Sequence, residues 1–244
     1  MEHDDAPRGR VLTRRELVTL LGASSAALVS GAAFGAPWLL QHLSLPDCIA
    51  RPQQTEGPYF SDERLNRSDI RSDPKSGAIS AGVPLALGFV VSRMTRGRCE
   101  PLSGAQIDIW HCDALGNYSD VSDRRFDTVG QKFLRGYQVT DGAGHVAFQT
   151  IYPGWYPGRT VHVHFKVRVP AGAKRAAEFT SQLYFEDDLT DRVHARPPYS
   201  RKGQRTIQNA DDGIFRQGGG QLVLAPRPVA DGFDATFSLG LQLE

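Results

Sequence analysis

The run Thr160-Val161-His162-Val163-His164-Phe165-Lys166-Val167-Arg168-Val169 decides the fold. Apolar and polar residues alternate along it. Successive side chains of an extended strand point to opposite faces, so Val161, Val163 and Phe165 lie on one face and His162 and His164 on the other. Such a period of two marks a half-buried strand at 160–169. Outward from it, short runs rich in Val, Ile and Phe read as further strands at 85–92, 105–110, 145–150, 181–185, 221–224 and 236–241. Turns such as Arg96-Gly97, Leu115-Gly116-Asn117 and Asp141-Gly142-Ala143-Gly144 separate them. Outside the N-terminus, helical periodicity is confined to a short turn near 173–178. Seven strands without alternating helices predict an all-β protein, a β-sandwich or barrel.

Residues 46–82 are polar and carry Pro46, Pro52, Pro58 and Pro74. They read as an extended arm laid over a β core at 83–244. Irregular stretches at 113–135 and 186–220 read as the functional loops. The chain has 244 residues, 40% hydrophobic and 23% charged, which suits a globular protein rather than a disordered one. Its net charge of +1 lacks the basic footprint of a nucleic-acid partner. Three cysteines and no CxxC exclude a cysteine-type zinc site. Cys48, Cys99 and Cys112 allow at most one disulfide, and all three pairings stay open.

The N-terminus reads as a separate object, a signal segment and linker at 1–45. Residues 17–41 carry no charge and follow Thr13-Arg14-Arg15-Glu16-Leu17. An arginine pair before a weakly apolar run resembles a twin-arginine export signal. The run is also long enough for a membrane anchor. Gly22, Ser24, Ser25, Ser30, Gly31 and Gly35 favour export, and Ala33-Phe34-Gly35 offers small residues for cleavage. The expectation is a bacterial periplasmic or extracellular protein handled by the twin-arginine machinery, membrane-anchored if the signal stays on.

His162 and His164 on one strand face can share a metal ion, although an HxH alone suits two surface histidines equally well. Upstream, Tyr152-Pro-Gly-Trp-Tyr156-Pro-Gly-Arg159 brings a phenol and a guanidinium to the same place. A phenolate is a hard anionic donor and fits Fe(III) better than a softer ion. It also needs a cation, since a free tyrosine titrates near pH 10. Two phenolates, two neutral imidazoles and one hydroxide bring Fe(III) to zero net charge, which favours burial. Tyr118, on the turn after the 105–110 strand, is the candidate second phenol.

Three stretches together resemble the intradiol ring-cleavage dioxygenases. They are Gly104-Ala-Gln-Ile-Asp-Ile-Trp110-His-Cys-Asp113…Gly116-Asn-Tyr118-Ser119, Thr150-Ile-Tyr-Pro-Gly-Trp-Tyr156…Arg159…His162-Val-His164, and Thr180-Ser-Gln182-Leu-Tyr-Phe185. Thr55-Glu-Gly-Pro-Tyr59 resembles the arm of the protocatechuate 3,4-dioxygenase branch. That branch fits better than the catechol 1,2-dioxygenases, because residues 46–82 leave no room for their helical N-terminal domain. The resemblance implies a β-sandwich with mixed sheets and one non-haem Fe(III) per chain, held by Tyr118, Tyr156, His162 and His164. It implies that O2 cleaves a catechol-type ring (protocatechuate, catechol or hydroxyquinol) to a muconate-type diacid. Tyr156 would leave the metal and take a proton when substrate binds. Arg159 would stabilise negative charge on the ring, and Gln182 would lie near substrate or serve as a structural hydrogen-bonding residue. Related enzymes assemble, which leaves a homo-oligomer open, and no interface can be read from these residues.

Two other readings carry less. A non-catalytic β-sandwich binding module would make Tyr118, Tyr156 and Arg159 coincidences. A divalent-metal hydrolase lacks a carboxylate in the histidine motif. Tyr59, Tyr137, Tyr152, Tyr184 and Tyr199 read as packing or loop residues, His111 and Asp113 as structural groups at a strand end, and His145 as solvent-facing.

Overall fold

The computed structural model describes residues 49–95, 98–170 and 177–243. Two sheets face each other across one apolar core. In the first, β1 (Pro84–Thr95) pairs in parallel with β11 (Gly232–Gln242). Its other edge pairs antiparallel with β7 (His145–Ile151) and then with β2 (Arg98–Pro101), while β10 (Arg227–Val229) extends the sheet beyond β11. The second sheet runs β6 (Arg135–Val139), β3 (Gln106–Trp110), β8 (His162–Val169) and β9 (Ala177–Tyr184), all antiparallel. A two-residue pair, β4 (Ser122–Asp123) and β5 (Phe126–Asp127), lies in the loop after β3. The expected β-sandwich is the fold, and the β1–β11 pairing makes its first sheet mixed.

Alternation sets the core. Leu85, Leu87, Phe89 and Val91 of β1 and Phe237 and Leu239 of β11 meet Val163, Phe165 and Val167 of β8 in one buried cluster. Phe165 joins the sheets, with ring centroids 5.4 Å from Phe89 and 5.6 Å from Phe237. Burying each of these side chains contributes roughly 1.5–3 kcal/mol. The opposite face of β8 therefore presents His162, His164, Lys166 and Arg168. Register places Trp110 and Gln182 beside His164, and Tyr184 beside His162. A slip of one residue would send the histidines into the core.

Residues 49–83 contribute no named strand and run across that polar face. The Gln54 amide donates to the Thr180 carbonyl at 3.0 Å, and the Ser181 hydroxyl donates to the Pro52 carbonyl at 2.8 Å. Glu56 pairs with Lys166, and Asp62 with Arg168 at 2.9 Å. Phe60 lies under the Lys166 ammonium, 4.1 Å from its ring centroid. The two cations of β8 are thus held by acids of the covering segment.

Several local expectations need correction. Residues 221–224 form no named strand: a short 3-10 turn ends at Gln221, Val223 makes one bridge to Tyr184, and Leu222 and Leu224 are buried as apolar loop residues. The turn expected near 173–178 gives way at its end to β9, which starts at Ala177; residues 171–176 lie outside the described residues. A helix, α1 (Asp187–His194), stands in the 186–220 stretch. Cys112 is a buried free thiol and Cys99 is disulfide-bonded, which removes the pairings that involve Cys112. Cys48, the Arg96-Gly97 turn, and the segment 1–45 with Arg14 and Arg15 lie outside the described residues. Among the described residues, no helix is long and apolar enough to cross a membrane.

Candidate metal centre

Two loops deliver the phenols, and they are stitched together. Asp113 Oδ1 accepts from the Leu115 and Asn117 amides at 2.9 and 2.8 Å, closing the turn that precedes Tyr118. The Gly154 amide donates to the Asp113 carbonyl at 3.1 Å, which ties the Tyr152–Arg159 loop to this turn. Gly116 adopts φ +83°, and a Cβ there would collide with the Trp155 carbonyl. Asp113 therefore builds the site without entering it.

Four side chains converge. His162 Nε2 lies 3.1 Å from His164 Nε2, 3.1 Å from Tyr156 Oη and 3.5 Å from Tyr118 Oη. His162 Nδ1 lies 2.6 Å from the Thr160 carbonyl oxygen. A carbonyl only accepts, so Nδ1 carries the proton and the Nε2 lone pair faces the other three groups. Metal bonds of about 2.0–2.2 Å place adjacent donors roughly 3.0–3.5 Å apart, the spacing seen here. One lone pair cannot take three good hydrogen bonds, whereas a cation among the four atoms would use them all. His164 Nδ1 is buried without a hydrogen-bond partner, and its ring stacks on Trp110 at 5.0 Å.

Electrostatics keep all four side chains uncharged. Burial holds both imidazoles well below their ordinary pKa, and the Arg159 charge pushes the same way, so both are neutral. Burial pushes the Tyr118 and Tyr156 phenols up, with Arg159 opposing the shift at both. Ionising them needs a local cation. Among the described residues no group of three His, Cys, Asp or Glu side chains assembles, and the groups beside the two imidazoles are the phenols Tyr118 and Tyr156. That donor set fits a hard ferric ion better than zinc.

Arg159 and Gln182 stand beside this cluster in one network. Arg159 Nη2 donates to Gln182 Oε1 at 2.6 Å, and Gln182 Nε2 donates to the Thr55 carbonyl at 2.9 Å. Tyr184 Oη donates to Gln54 Oε1 at 2.7 Å and reaches Gln182 Oε1 at 3.2 Å. Gln182 thus links Arg159 to the covering segment. Gly57 of that segment, at φ +73°, brings its backbone so near that a Cβ would stand 3.2 Å from His164 Cε1.

Three participants escaped the sequence reading. Asp212 accepts from Arg159 Nε at 2.8 Å and is 1% exposed. Trp110 was quoted only as part of a motif. Tyr59, read as packing, lies against Tyr118 with centroids 4.6 Å apart and planes tilted by 31°, and its hydroxyl donates to Asp123 at 3.0 Å. The repeated aromatics in Tyr59-Phe60 were the signal for a covering element; Asp212 has none in sequence. Other residues take the structural places expected of them. His111 bonds the Cys112 carbonyl and Thr150 Oγ1, Tyr152 Oη meets Thr190 Oγ1 at 2.7 Å, and Tyr199 Oη donates to the Tyr152 carbonyl. Tyr137 exchanges backbone hydrogen bonds with Leu65 and Arg67, and His145 is exposed.

Known proteins share this arrangement of chain. A family model described as Dioxygenase matches residues 55–195. The protocatechuate 3,4-dioxygenase beta chain of Burkholderia cepacia is 29% identical over 140 residues, covering 54% of this chain and 57% of that one. Catechol 1,2-dioxygenase of Candida albicans is 31% identical over 101 residues, covering 34% of this chain and 32% of the relative. The matched stretch therefore spans about a third to three-fifths of these relatives' own length. Among solved structures, the intradiol ring-cleavage dioxygenase from Tetranychus urticae superposes with a TM-score of 0.69 at 28% identity, covering 80% of this chain and 95% of that one.

Proposed function

The chain belongs to the intradiol dioxygenase family, and on that premise we propose that it cleaves a catechol-type ring with O2 between the two hydroxyl-bearing carbons, giving a muconate-type diacid. The observation that carries the reading is the convergence of Tyr118 Oη, Tyr156 Oη and His164 Nε2 on His162 Nε2. These four side chains would hold one Fe(III). Bound there, it would supply Lewis-acid activation of a catechol.

The chain's own residues do the rest. Binding through two oxygens on a fixed centre orients the ring and lowers the entropic part of the barrier. Tyr156 sits at the outer side of the cluster, only partly buried where Tyr118 is fully so. That exposure supports Tyr156 Oη as the acceptor of a substrate proton, with Tyr118 as the enclosed donor. Arg159 holds a positive charge beside the cluster, anchored on both sides, and stabilises negative charge developing on the ring. The Gly57 backbone and the Tyr59 ring cover His164 and Tyr118 and exclude water from them.

Oxygen uptake by iron-loaded protein with catechol, protocatechuate and hydroxyquinol tests the reading and ranks the substrates. The expected product is a ring-opened diacid carrying both atoms of labelled O2. No uptake with any catechol would overturn it. We propose in addition that residues 1–45 direct twin-arginine export. Arg14→Lys with Arg15→Lys should then leave iron-bound protein in the cytoplasm, and unchanged translocation would contradict this.

A further inference from the structure

Arg159 follows the exposed Pro157-Gly158 turn, and a guanidinium on a flexible stem loses rotamer freedom when held in one place. Two acceptors hold it. Gln182 takes Nη2, and Asp212 takes Nε. Asp212 comes from the loop before β10, 53 positions along the chain from Arg159. Its carboxylate is saturated: Oδ2 also accepts from the Thr160 amide at 2.8 Å, and Oδ1 accepts from the Ile214 and Phe215 amides at 2.7 and 3.0 Å. Among the described residues, none of its hydrogen bonds runs to Tyr118, Tyr156, His162 or His164.

The loop has a second anchor. Thr160 Oγ1 donates to Asn209 Oδ1 at 2.7 Å, and Asn209 Nδ2 donates to the Phe185 carbonyl at 2.8 Å. Asp212 is therefore not alone in seating the loop, and its distinct contribution is the one oxygen shared between the Arg159 side chain and the Thr160 amide, two residues before β8. Resting on the ring-cleavage reading above, we propose that Asp212 is a positioning residue, fixing the Arg159 guanidinium at the angle at which its charge faces the substrate ring. Turnover then depends on a side chain that touches neither metal nor substrate.

A double-mutant cycle on iron-loaded protein tests this, using Asp212→Asn, Arg159→Ala and the pair, with kcat, KM, the visible spectrum and the thermal midpoint measured for each. Asp212→Asn should lower kcat about 10- to 100-fold, the scale of a misplaced catalytic group, with KM changed less than about threefold and the resting colour kept. In the Arg159→Ala background the same change should cost nothing further, within about threefold. It should even relieve the carboxylate left buried without its partner. If Asp212→Asn does not fold, Asp212→Glu, which keeps the charge but shifts it by one methylene, takes its place and should lose about 3- to 10-fold in kcat. Losses that multiply in the pair, or wild-type kcat in a folded Asp212 variant, overturn the inference alone. A wild-type chain that consumes no oxygen with any catechol overturns the ring-cleavage reading and this inference with it.

Discussion

His111 and His162 lie at the ends of neighbouring strands, both fully buried, and both place Nδ1 against a backbone carbonyl. Their other nitrogens differ. His111 Nε2 meets the Thr150 hydroxyl at 2.7 Å and is satisfied by it. His162 Nε2 faces an imidazole and two phenols, three polar groups for one lone pair. Burial and a neighbouring Asp113 give His111 the outward marks of a metal pair, yet the hydroxyl cap makes it a packing residue. What distinguishes a candidate ligand is several metal-ligating atoms converging on one lone pair, where His111 has a single hydroxyl.

The comparison breaks or holds on substitution. His162→Ala or His164→Ala should abolish iron retention and ring cleavage together, while the metal-free fold survives. Full activity in either variant would remove the assignment. Arg159→Ala should keep iron and resting colour, because a guanidinium cannot ligate a cation, yet lose about 2–4 kcal/mol of transition-state stabilisation in kcat. Unchanged turnover would remove its role. His111→Ala should do the reverse of His162→Ala. It keeps iron but costs about 3 kcal/mol in urea unfolding, from a cavity and an unpaired Thr150 hydroxyl. Loss of iron there would erase the distinction between the two histidines.

The smallest effect is on pH dependence. Burial lowers the His111 pKa to about 4, from an ordinary value of 6.5. On acidification the unfolded chain takes up this proton first. The contribution is therefore complete above pH 6.5 and is lost as pH falls towards 4. Between pH 7 and 5 the share of His111 is about 2 kcal/mol. Urea midpoints of wild-type and His111→Ala protein should converge over that range, and parallel curves would contradict the assignment.

Legibility followed periodicity. The β8 alternation reads directly, because one face must be apolar and the other carries the site. β6 hid because Arg135-Gly-Tyr-Gln-Val is half-polar, its partners supplied by β3 and by residues 65–67 of the covering segment. The run at 221–224 misled, since burial of Leu222 and Leu224 by tertiary packing looks locally like a strand. α1, at eight residues with no side-chain cap, is too short for a clear helical period. The Tyr and His candidates were legible from donor chemistry and family resemblance. Asp212 was not, because only the folded chain brings its carboxylate to Arg159.

The central claim, that two phenols and two imidazoles hold one ferric ion, is tested most directly by visible spectra of iron-loaded wild-type, Tyr118→Phe and Tyr156→Phe protein, with and without catechol. The account predicts a red-brown tyrosinate-to-iron band with one iron per chain. Tyr156→Phe should keep iron, shift the resting band and leave the catechol-bound spectrum little changed if Tyr156 is the proposed proton acceptor. Tyr118→Phe should alter both states. A resting band unchanged in both variants would contradict the two-tyrosinate site.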